Sequence, residues 1–129
     1  MKSLNVLEFK YTYYILFLLL LFAGGCSSSQ STMYKPSDGE AGWNVDVTKK
    51  DGLTDEFICK INGTTVITAS FPFIGDNFDK SGTYKGKNVK MNGYKSSTNS
   101  TGADGKVQST DKFQIRVFID DQLVDKFDF

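Results

Sequence analysis

The chain has no histidine, and that absence removes more chemistry than any residue present supplies. Without imidazole there is no general base for a serine or cysteine triad and no nitrogen ligand for zinc. Cysteine is nearly as scarce. Cys26 and Cys59 are the only two in 129 residues, so one bridge at most can form and no thiolate cluster can hold a metal. Charge of one sign is lacking too: 15 basic and 15 acidic residues cancel, which leaves no field to recruit nucleic acid. A phosphate-cradling loop and a dinucleotide fingerprint are missing, since each needs its glycine spacing and a following helix. Beyond residue 25 no apolar run repeats at the helical period. These absences together predict a non-catalytic domain with no cofactor and no bound metal.

The most informative segment present is the leader. Lys2 and Lys10 precede the apolar run Tyr14-Ile15-Leu16-Phe17-Leu18-Leu19-Leu20-Leu21-Phe22, and small residues then close it at Ala23-Gly24-Gly25-Cys26. The run is short for a ~30 Å hydrocarbon core, as a secretion signal is. Small residues directly before a cysteine resemble the lipobox of bacterial lipoproteins. That resemblance implies removal of residues 1–25, diacylglycerol on Cys26, and a place in the cell envelope anchored to a membrane. It also implies the outer membrane in a cell that has two, because Ser27 and not aspartate follows the cysteine. An ordinary signal peptide cut near Ala23 or Gly25 and an uncleaved anchor helix are the two other readings of the leader, and all three put the folded part outside the cytoplasm.

Residues 26–42 are polar and rich in helix and strand breakers, a composition that favours a flexible tether with about 20 Å of reach. From Trp43 the period becomes two. Trp43, Val45 and Val47 alternate with polar neighbours, and Asn62-Gly63 between two β-branched runs predicts a two-residue hairpin turn. A second hairpin is expected around Gly86. Phe113, Ile115, Val117 and Ile119 alternate toward a last hairpin that turns at Asp120-Asp121. Strict alternation would set Asp125 on the face of Leu123, Phe127 and Phe129, so a bulge near Leu123-Val124 is predicted. Residues 95–112 are polar except for Val107 and read as a long mobile loop. The fold expected over 43–129 is therefore all-β, a small antiparallel sandwich or barrel of about six to seven strands. Its expected core includes Trp43, Val45, Phe57, Cys59, Ile61, Val66, Phe113, Ile115, Val117 and Phe127. The closing hairpin resembles those of immunoglobulin-like domains, without their Cys-Trp-Cys framework.

Candidate functional residues are few. Cys59 alternates with Phe57 and Ile61 and reads as a small buried hydrophobe. Asp76 and Asp79 space their oxygens in a way calcium could use, but the closing glutamate of an EF-hand loop is missing and turn chemistry accounts for both. Asn62-Gly63-Thr64 and Asn99-Ser100-Thr101 match the N-glycosylation pattern and read as turn residues in a bacterial protein. Tyr84 and Tyr94 bracket Lys85, Lys87 and Lys90, a mixture suited to an anionic glycan or a lipid headgroup through charge and stacking, and another envelope protein is the other partner expected for this surface. Ser81-Gly82-Thr83-Tyr84 resembles the Ser-Gly-x-x-Tyr segment of the membrane-bound C-type lysozyme inhibitors. That resemblance implies the competing function, a periplasmic inhibitor that inserts a loop into an enzyme's cleft. In the first reading Cys26 carries acyl chains and the protein fractionates with membranes. Cys26→Ala should release it, and persistent membrane association together with a mature mass lacking acyl chains would overturn lipidation.

Overall fold

The computed structural model describes residues 13–17, which are helical, and residues 26–129. Most of the leader, including Ala23-Gly24-Gly25, lies outside the described residues. From Ser27 the chain is strand and turn. Eight strands follow in order: β1 (Ser27–Tyr34), β2 (Trp43–Lys50), β3 (Glu56–Ile61), β4 (Thr64–Ser70), β5 (Asn77–Tyr84), β6 (Lys87–Thr101), β7 (Val107–Ile119) and β8 (Gln122–Asp128). They form two four-stranded antiparallel sheets, β1-β2-β3-β4 and β5-β6-β7-β8, each a simple meander. The architecture is an all-β sandwich of eight strands, one or two more than the sequence suggests.

The core lies between the sheets and follows from period-two alternation. Trp43, Val45 and Val47 on β2, Val89 and Met91 on β6, and Ile115, Val117 and Ile119 on β7 are all buried, while their neighbours point outward. Of the expected core, Val66 is only partly buried and Ile67 and Ala69 take its place. A register shift between Cys59 and Lys60 leaves Val66 as the extra residue of a bulge, which moves the buried phase by one. A second shift, between Val117 and Phe118, inserts Val124 into β8. This is the predicted bulge. It leaves Val124 packed against the core, Leu123 exposed and Asp125 half-exposed.

Three turns close one end of the sandwich, and all have positive φ at both central residues: Asn62-Gly63, Lys85-Gly86 and Asp120-Asp121. Such turns match the right-handed twist of paired strands. The Asp120 carboxylate accepts from the Asn88 amide at 3.0 Å and binds that corner to β6. The connection 35–42 lies at this same end, where Asp38 reaches Lys87, and the opposite end carries residues 51–55 and 71–76 and the overhang of β6 and β7.

Two expectations from composition are corrected here. Residues 26–42 do not form one tether, because β1 begins at Ser27 and pairs with β2 along its whole length, Ser27 with Lys50 through Tyr34 with Trp43. Polar side chains do not prevent this, since the ladder consists of backbone hydrogen bonds and only Tyr34 is buried. Nor do residues 95–112 form a loop. Register continues from Lys95–Phe113 to Thr101–Val107 and turns over residues 102–106, so the ribbon projects ~20 Å past the body at the usual rise per residue. Likewise residues 77–82 belong to β5.

Gly93 shows how tightly the second sheet is packed. A Cβ there would lie 2.4 and 2.7 Å from atoms of the Phe78 ring on the paired strand and 3.0 Å from the Ile115 side chain. Gly93→Ala should therefore cost ~1–3 kcal/mol by overpacking, and Ile115→Ala ~2–5 kcal/mol by leaving a cavity. Lys90→Ser on the outer face should stay within ~0.5 kcal/mol. Urea midpoints of the three variants test this ordering, and a Gly93→Ala as mild as Lys90→Ser would refute the packing.

Candidate functional site

A groove of about 800 Å³ lies where β8 stops while β7 runs on. The Phe113 and Phe129 backbones exchange hydrogen bonds at 2.9 and 2.8 Å. Beyond that point β7 has no neighbour on the β8 side, and its edge forms one wall of the groove. Tyr94, Lys95, Lys112, Phe113, Gln114 and Phe129 are among the lining residues. The floor is aromatic because Phe113 and Phe129 both reach inward to Phe57, at ring distances of 5.4 and 5.8 Å.

Charge around the groove is ordered by short contacts. Lys95 pairs with Asp111 at 3.1 Å, and the Ser97 hydroxyl donates to the same carboxylate at 2.5 Å. The Ser97 hydroxyl first and the Lys95 ammonium second hold the Asp111 carboxyl below its ordinary range. On the outward face Arg116 lies over the Tyr94 ring, 5.1 Å from its centroid, and donates to the Gln114 side-chain Oε1 at 3.3 Å. Gln114 in turn donates to the Asp128 carboxylate at 3.4 Å. Beside this row the Asn92 side-chain carbonyl is shielded without a hydrogen-bond partner, a costly position for an acceptor. The result is an aromatic-floored groove whose two lysines, Lys95 and Lys112, are balanced by Asp111 and Asp128.

The structure separates the residues that the sequence grouped. Tyr84 pairs with Lys87 across the β5–β6 turn and turns inward, where its ring meets Trp43 edge-on at 5.0 Å and its hydroxyl accepts from Asn62 at 3.3 Å. Lys87 reaches Asp38 at 3.4 Å and Asp120 at 3.6 Å. The hydrogen bond to Asp38 raises the Lys87 pKa. Lys90 pairs with Asp121 at 3.6 Å, and Lys85 lies over the Tyr84 ring at 5.9 Å. These four belong to the end closed by tight turns, whereas Tyr94 belongs to the groove at the other end. Arg116, Lys112, Phe113 and Phe129 escaped notice as site residues. The alternation of β7 does mark Gln114 and Arg116 as outward, but only register brings them beside Tyr94.

Of the remaining candidates, Cys26 is exposed, and its carbonyl accepts from the Asp51 amide at 3.2 Å. Asp79 faces water from the strand β5 and is not in a loop. Among the described residues no group of three or more acidic or cysteine side chains converges. Cys59 is fully buried among Val47, Ile67 and the rest of the core. Burial foremost, with the Asp46 charge second, pushes its thiol up to about 12. A thiol so raised is no nucleophile at neutral pH.

Because the folded value lies above the unfolded one, the unfolded chain releases this proton first. The contribution of Cys59 to stability is intact below about pH 9 and is lost as the pH rises toward about 12. In the folded protein iodoacetamide at about pH 9 should leave Cys59 unmodified, with alkylation only after denaturation; rapid alkylation of the folded form would overturn this assignment. No protein-family model matches the chain, and no curated protein or solved structure does either.

Proposed function

We propose that this protein is a non-catalytic, membrane-tethered binding or structural module of the cell envelope, anchored through Cys26, and that its contact surface is the groove at the end of β8. The observation that carries the binding surface is the aromatic floor of the groove, where Phe113 and Phe129 lie beside Tyr94 and Lys112. An extended partner segment stacks on such a floor, while Tyr94, with Arg116 over its ring, and Lys112 supply further stacking and charge. The partner class this chemistry favours is another envelope protein, with an anionic glycan as the second class the same groups would bind. Lys85, Lys87 and Lys90 are engaged with neighbouring side chains and are less suited to that role.

One observation favours the competing reading of a periplasmic enzyme inhibitor of the lysozyme-inhibitor type. The ribbon of β6 and β7 is narrow, polar and projecting, the shape that enters a cleft. Lysozyme-driven lysis measured with and without the protein decides it, and unchanged lysis removes the inhibitor. For the main reading, a crosslinked pull-down from native envelopes should lose a partner in the triple variant Tyr94→Ala, Lys112→Ser, Arg116→Ala. The same partner should survive Lys85→Ser, Lys87→Ser, Lys90→Ser. The reverse pattern would move the surface to the turn-closed end, and hydrolase activity in the pure protein would defeat the non-catalytic assignment.

A further inference from the structure

Three large apolar side chains are held in water at one end of the sandwich. Leu53 in the β2–β3 loop and Phe73 and Ile74 in the β4–β5 loop are exposed at 109%, 99% and 87%. They add little to the core, which is closed beneath them by Phe57, Phe71, Phe78, Phe113 and Phe129. Leu53 and Phe73 border a common notch of about 170 Å³ together with Pro72 and Phe113. The two loops therefore bring Leu53 and Phe73 to one notch, with Asp55 and Lys95 at its side and Ile74 next to Phe73 in the chain, and such exposed apolar side chains are what a water-facing domain avoids unless something covers them.

The described chain itself indicates the cover. β1 starts at Ser27 beside Lys50, and the Cys26 carbonyl is hydrogen bonded to Asp51, two residues before Leu53. No spacer separates Cys26 from the folded body. Resting on the reading that Cys26 carries the lipid anchor, we infer that Leu53, Phe73 and Ile74 form a bilayer-docking edge that enters the interface of the membrane holding that anchor. Acyl chains leaving Cys26 bring the loops to the headgroup layer, where apolar side chains gain by entering ~5–10 Å. The three side chains belong to loops that leave strands of the first sheet, β2 and β4. The polar ribbon of β6 and β7 extends from the second sheet and cannot enter hydrocarbon. Because the ribbon projects from the same end, the edge enters only with the molecule tilted so that the ribbon stays in the aqueous layer.

The test uses the purified lipidated protein reconstituted in phosphatidylethanolamine and phosphatidylglycerol vesicles with brominated acyl chains, its acylation read by mass. Trp43, the only tryptophan, is buried at 2% exposure at the far end of β2 and serves as an internal standard. Parent emission should be the same in brominated and unbrominated vesicles. Phe73→Trp should add emission that is blue-shifted and lost in the brominated vesicles, while Thr101→Trp at the ribbon tip should keep its emission. Acylated protein whose Phe73→Trp emission is unaffected overturns docking and leaves the anchor standing. A mass without acyl chains removes the anchor and the docking edge together. Shielding of Phe73→Trp that appears only when envelope proteins are added, in both vesicle types alike, would assign the edge to a protein partner and overturn the proposal.

Discussion

The fold depends on one cluster of rings. Phe57 on β3 lies 5.4 to 6.0 Å from Phe71, Phe78, Phe113 and Phe129, so one side chain joins the first sheet to three positions in or beside the second. No backbone hydrogen bond does this work, because the ladders run within sheets and the two sheets meet mainly through side chains. Each ring must point inward for the cluster to close, which fixes the phase of β3, β5 and β7 at once. A slip of one residue in any of them would expose a phenylalanine and bury its polar neighbour. Lys49 and Lys95 lie over the Phe113 ring at 5.2 and 5.9 Å and shield the cluster with their stems while keeping their charges in water.

That cluster also marks one of the two unlike ends of the molecule. At the far end Trp43 meets Tyr34 and Tyr84, and three two-residue turns and the connection 35–42 close the sandwich. The phenylalanine end carries the other loops, the groove, the ribbon and Cys26. The asymmetry arises from the meander: with β1 starting at the phenylalanine end, the connections 51–55, 71–76 and 102–106 all return to it.

Much of this was legible in residues. Asn62-Gly63 fixed its hairpin because positive φ at two successive positions suits few other pairs. The discomfort of Asp125 revealed a bulge. β1 was hidden for a physical reason: Ser27–Ser31 bury no side chain, so their strand is held by backbone pairing with β2 and by the Gln30 side chain donating to the Asp128 carbonyl at 2.5 Å. Composition reports burial and not pairing. The ribbon was hidden the same way. Val66 misled because a bulge changes phase without changing the pattern of residue types. Tyr84 and Tyr94 look alike in sequence, yet one pairs with Lys87 on the inner face and the other with Gln114 on the outer; ten residues of alternation return the same phase, and an even separation along a strand says nothing once a turn intervenes.

The ribbon sets the last constraint. Two strands alone are marginal in water, and past Lys95 and Phe113 neither β5 nor β8 continues beside them. Order reaches the ribbon from its base, where Lys95, Ser97 and Asp111 join the two strands and Lys95 lies over Phe113. Along the rest, Ser, Thr, Asn and Gln leave both faces polar, and both outer edges keep unpaired backbone groups. Such an edge is an aggregation hazard in free solution. The anchor proposed at Cys26 would hold the domain close to a surface and so limit how neighbouring copies can align their ribbons.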